Sequence, residues 1–124
     1  MGRAGRPSRI ALEAYPGLLA REVLGRASYK SDDPRQQTAQ RRERREQLLA
    51  ALQAGRTRLA LRLATNAELR TQLIDDGRGD TLDAALCLMQ AAWGWQRGAP
   101  DYGLPMPVDP LEGWIVTAQP GQAP

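Results

Sequence analysis

The segment from Asp80 to Trp95 restricts the fold more than any other. Leu82, Leu86, Met89 and Trp93 follow one another at intervals of four, three and four residues, which is the spacing of one face of a helix. Sixteen residues of helix would be about 24 Å long. The segment has clear limits, with the turn-forming Asp75–Gly79 (DDGRG) before it and Gly98–Pro110 after it, a stretch too rich in proline for regular structure. A helix with one apolar stripe must bury that stripe against other elements. The 124-residue chain is 42% hydrophobic with no Phe, and its apolar content is dominated by Ala and Leu, which suits helices better than sheets.

The partners for that stripe lie upstream. Ile10, Leu12 and Ala14 alternate with Ala11, Glu13 and Tyr15, a pattern that predicts a short strand over Arg9–Tyr15. Pro16 offers a helix start, with Leu18, Leu19, Val23 and Leu24 as its apolar face and Gly25 as its end. After a connector, Asp33 is placed to cap a helix beginning at Pro34 and running to Ala54, stopped by Gly55. Leu59 to Ile74 reads as a further helix, broken near Thr65–Asn66. Gly113–Thr117 predicts a second short strand. Trp93, Trp95 and Trp114 are expected to pack, and Cys87 reads as an inert core thiol. The expected organisation is a disordered lead at 1–8, one domain over 9–118 and a disordered tail at 119–124.

Charge narrows the chemistry. Seventeen basic and fourteen acidic residues leave a net charge of +3, which permits a polyanionic partner without requiring one. With no histidine in the chain, His-dependent acid–base catalysis and His-ligated zinc are excluded. One cysteine allows no intrachain disulfide, so a reducing cytoplasm is the expected compartment. No apolar run is long enough to span a bilayer, so no membrane partner is expected. The run Arg41-Arg42-Glu43-Arg44-Arg45-Glu46 interleaves its signs, and Arg42 and Glu46 are four apart; it reads as a solvated helix laced with weak ion pairs rather than as a nucleic-acid patch.

The acids are the candidate site. Asp80 and Asp83 are three apart and share a helix face. The plain reading is capping, with Asp80 as the N-cap and Asp83 in an acidic first turn that complements the helix dipole. The functional reading adds Glu13 from the first strand, so that three carboxylates converge on a divalent ion. Lys30 is a candidate phosphate contact.

Taken in order, Glu13-Ala14-Tyr15-Pro16, Ser28-Tyr29-Lys30, the Arg/Glu-rich helix ending Gln47–Leu52, Asp80–Cys87 and Glu112-Gly113-Trp114-Ile115 are similar to one known family. From about residue 9 to 117 the chain resembles the C-terminal half of the predicted RNase H-like nucleases of domain of unknown function 429. The resemblance implies an α+β, helix-dominated fold: a partial RNase H-like domain lacking the first three strands and the first-strand aspartate. It implies Glu13 as the later-strand acid, Asp83 as the last-helix acid and Asp80 as its partner one turn earlier. Together these would hold Mg²⁺ or Mn²⁺ for phosphodiester hydrolysis. With one principal ligand missing, the implied enzyme is truncated and poorly active, and its exposed sheet edge invites self-association. The alternative expectation is a non-catalytic interaction module that binds protein or nucleic acid.

Overall fold

Backbone signals punctuate the chain into four helices. The computed structural model describes residues 13–98 and 117–118. Helix α1 spans Pro16–Leu24, α2 Ala39–Ala54, α3 Ala67–Asp75 and α4 Asp80–Arg97, with one 3₁₀ turn at Pro34–Gln36. Pro16 opens α1, where its missing N–H costs nothing. The Thr38 hydroxyl accepts from Arg41 N–H at 3.3 Å to start α2, and the Asn66 side chain accepts from Leu69 N–H at 2.8 Å to start α3. Gly55, at φ +69°, closes α2 in the left-handed conformation.

Helix α4 starts differently from the sequence expectation. Its N-cap position is Gly79, at φ +77°, and the capping carboxylate is neither Asp80 nor Asp83. Asp76 does this work, accepting from Thr81 N–H at 2.9 Å and Arg78 N–H at 3.2 Å. A side chain at Gly79 would be strained by its φ, and its Cβ would lie 2.7 Å from Lys30 Cδ.

The core lies among all four helices. Leu19 from α1, Leu48, Leu49 and Leu52 from α2, Leu73 and Ile74 from α3, and Leu82, Leu86 and Met89 from α4 form one cluster with Tyr29 and Leu59. Helix α1 packs on α4 and α2, and α3 packs on α2 and α4. Trp93 sits at the edge of this cluster, whereas Trp95 is 78% exposed. Two helical residues turn the side chain by roughly 200°, so both tryptophans cannot face the same core. Trp114 lies outside the described residues.

The α+β expectation is corrected here. Among the described residues the elements are helices and one 3₁₀ turn, with no strand element. There is therefore no RNase H-like sheet among them and no exposed sheet edge through which copies of the chain could associate. Within the expected first strand, Arg9–Leu12 lie outside the described residues. At Tyr15 the backbone is extended, and its hydrogen bonds are taken by a side chain. Gln90, fully buried on α4, accepts from Tyr15 N–H at 3.0 Å and donates to Tyr15 C=O at 3.0 Å. One glutamine amide thus supplies both bonds that a neighbouring strand would. In the expected second strand, 113–116 lie outside the described residues and Thr117 has φ +77°, incompatible with a strand. The lead at 1–8, the tail at 119–124 and the proline-rich stretch beyond Gly98 also lie outside them.

Two helix boundaries differ as well. The helix expected over Pro34–Ala54 is split because Asp33 caps only a 3₁₀ turn, accepting from Arg35 N–H at 3.0 Å, and Thr38 begins a new helix. The stretch from Leu59 is not helical before Ala67. Ala60 has φ +55°, Leu63 N–H bonds back to Leu52 C=O at 2.9 Å, and Gln53 reaches the Thr65 hydroxyl at 2.7 Å.

Two measurements check this account. Leu86, fully buried, should lose about 2–5 kcal/mol of stability on Leu86→Ala. Asp80→Asn should cost almost nothing in the same urea titrations, because its side chain is 69% exposed and meets only Arg78 at 3.6 Å. Comparable losses would invert this assignment. The second concerns pH. Backbone hydrogen bonding, chiefly from Thr81, holds the Asp76 carboxyl below its usual value. A folded pKa below the unfolded one gives stability that is complete above about pH 4 and is lost as pH falls through the folded value. The acid-side loss should therefore be shallower in Asp76→Asn than in the parent, the remainder including Asp33, which Arg35 holds low in the same way.

Candidate functional site

Helix α1 ends at Gly25, and the chain turns back along it through Arg26–Lys30. The arginines of α2 hold this return segment. Arg45, only 3% exposed, donates to Tyr29 C=O at 3.0 Å and to Ile74 C=O at 2.7 Å. Arg44 donates to Ser28 C=O at 2.9 Å, and Arg41 to the Ser28 hydroxyl at 3.3 Å. Arg42 pairs with Asp75 at 2.6 Å and with Glu46 at 3.6 Å. The arginine run is therefore a set of clamps on a loop. Its ion-pair lacing is real at Arg42, while Arg44 and Arg45 bond to backbone carbonyls.

Tyr29 and Lys30 then reach α4. The Tyr29 hydroxyl donates to Asp83 Oδ1 at 2.5 Å, and the Lys30 ammonium pairs with Asp83 Oδ2. Burial, reinforced by the hydrogen bond to Asp83, pushes the Tyr29 hydroxyl well above its ordinary pKa, so it stays a proton donor. Burial also raises the Cys87 thiol, with the Asp83 charge as a second cause, which keeps it protonated and poorly nucleophilic.

The predicted site residues are accordingly dispersed. Asp83 holds Tyr29 and Lys30, Asp80 points out to Arg78 at 3.6 Å, and Glu13 is exposed. Among the described residues no three of Asp, Glu and Cys form a group able to hold a metal ion, so Glu13, Asp80 and Asp83 do not converge. Mg²⁺ or Mn²⁺ does not fit this donor set, because both oxygens of Asp83 are engaged and one of them by an ammonium. Lys30, expected to touch phosphate, is directed to Asp83 instead.

The return segment and the start of α1 enclose an open groove of about 610 Å³. Tyr15–Gly17, Ala20 and Arg21 from α1 and its start, and Gly25–Lys30 from the return segment, line it. Among the described residues no carboxylate lines it. Arg21 and Arg26 are exposed, and neither guanidinium has a hydrogen-bond or ion-pair partner among the described residues. Reading the sequence for acids missed both. A signal was present: Arg21 has no acid three or four positions away on either side. Glu22, four before Arg26, is instead bonded bidentately by Arg58 at 3.0 and 3.1 Å.

Comparisons with protein-family models, with curated proteins and with solved structures each returned no match, to the RNase H-like nucleases or to any other family. No helix among the described residues is long and apolar enough to cross a membrane.

The clamp on the groove wall can be tested. Arg45→Met keeps the aliphatic stem but orphans two carbonyls, and should lower stability by about 2–4 kcal/mol and speed amide exchange around Ser28–Ser31. Arg44→Met removes a single bond and should cost less than about 1 kcal/mol. Equal effects would show that Arg45 is not the principal clamp.

Proposed function

We propose that this chain is a non-catalytic interaction module of the cytoplasm that takes an anionic partner in the groove beside α1. One observation carries the reading: Arg21 and Arg26 line a concave surface of about 610 Å³ that contains no carboxylate among the described residues. Most other arginines of the described chain are engaged. Arg35, Arg42, Arg58 and Arg78 have carboxylate partners, and Arg41, Arg44 and Arg45 hold backbone. Two guanidiniums without partners among the described residues, lining one groove, concentrate positive potential there, and guanidinium geometry suits phosphate and carboxylate oxygens alike. Binding by such a surface is expected to weaken steeply with salt. A single cysteine, which allows no intrachain disulfide, accords with a reducing compartment.

Equal-charge variants separate the groove from net charge. Arg21→Gln/Arg26→Gln and Arg56→Gln/Arg70→Gln each take the formal charge from +3 to +1. With fluorescent heparin as a generic polyanion, the groove variant should bind at least about tenfold more weakly than the parent, and the distal variant within about twofold. Equal weakening would reduce the attraction to net charge and remove the groove from the proposal.

A further inference from the structure

We infer that the groove binds single-stranded nucleic acid, with a base stacked on the Tyr15 ring and backbone phosphates carried by Arg21 and Arg26. This deepens the anionic-partner reading above and rests on it. What selects nucleic acid among anions is the aromatic platform beside the cations. Tyr15 stands at the groove's end with 38% of its surface exposed. Its ring lies across Gly17, where a Cβ would come within 2.7 Å of Tyr15 Cε1, so a glycine in the first turn of α1 is what lets the ring take this position. The backbone that carries the ring is also fixed. Gln90 holds both the N–H and the C=O of Tyr15 at 3.0 Å from the buried face of α4.

A base needs a preset π-face, and every base has one, so such a platform is tolerant of sequence. Arg21 follows Gly17 by one helical turn, and Arg26 stands past the end of α1 and lines the same groove, giving it two cations. An acidic peptide would use the cations but has no need of the ring. A cavity of about 610 Å³ falls among those that enclose single small-molecule units, roughly 300–1,000 Å³, a size that suits one unstacked base.

The test compares a fluorescein-labelled short thymidine strand, its duplex, a poly-glutamate peptide and thymidine monophosphate by anisotropy on the full chain. The expected order places the single strand tightest. Tyr15→Ala should weaken it about tenfold and Tyr15→Phe hardly at all, with heparin binding unchanged in both. Stacking should also shift the thymine methyl resonance upfield in the parent and not in Tyr15→Ala. Tyr15→Leu keeps apolar cover over Gly17 and replaces the alanine variant if circular dichroism shows the latter unfolded. If Tyr15→Ala leaves strand binding intact while Arg21→Gln/Arg26→Gln abolishes it, the stacking proposal fails and the anionic groove stands. Poly-glutamate binding tighter than the strand would overturn it in favour of an acidic peptide. Thymidine monophosphate binding as tightly as the strand would overturn it in favour of a mononucleotide. A parent chain that binds none of these anions, heparin included, overturns both readings.

Discussion

The buried guanidinium of Arg45 is the contact on which the groove depends. It accepts a loss of hydration, which pulls its pKa down, and in exchange satisfies carbonyls from two separate segments, Tyr29 and the C-terminal turn of α3 at Ile74. Carbonyls without N–H partners recur at loop turns and helix ends, and few side chains other than arginine reach two at once. Because Tyr29 is held by its backbone, its hydroxyl arrives at Asp83 and its neighbour Lys30 lies over Gly79. The groove wall, the N-terminus of α4 and the C-terminus of α3 are thus arranged around one charged group in an apolar core.

That arrangement changes the meaning of the acids. Asp83 does not gather cations from solution; it receives a lysine and a tyrosine from the return loop and so fastens that loop to α4. Asp76, from a turn that looked like mere punctuation, is the residue that terminates the unpaired N–H groups of α4. The same residue types at the same spacing serve a helix end and a metal site equally well, and what distinguishes them is the identity of the third and fourth neighbours.

Helix identity was legible where the signals are local. Pro16 and Gly25 bound α1, Gly55 ends α2, and the Leu82–Leu86–Met89–Trp93 stripe is the face of α4 that meets the core. Signals that depend on a competitor were not. Asp33 satisfies every rule for starting a long helix, but the turn it caps stops at Gln36, and the chain restarts at Thr38. The alternation before Tyr15 suggests a strand, yet at Tyr15 the partner is a glutamine side chain 75 residues away, which no pattern of hydrophobicity announces. Arg45 sits in the most polar stretch of the chain, and its burial follows from carbonyls contributed by elsewhere. The groove arginines were the reverse case: Arg21 has no acid at helical spacing, and Arg26 has one, Glu22, that Arg58 takes instead.

The grip of Gln90 on Tyr15 also sets an order of events during synthesis. Tyr15 leaves the ribosome long before Gln90 exists, and the hydrogen bonds that lock its peptide span 75 residues. At roughly 5–20 residues per second, about 4–15 s pass between the two. Throughout that interval the nascent N-terminal half carries its unpaired arginines without the fixed platform beside them. The complete groove is therefore a property of the finished chain, and a product ending before Gln90 would keep the positive charge while lacking the means to orient it.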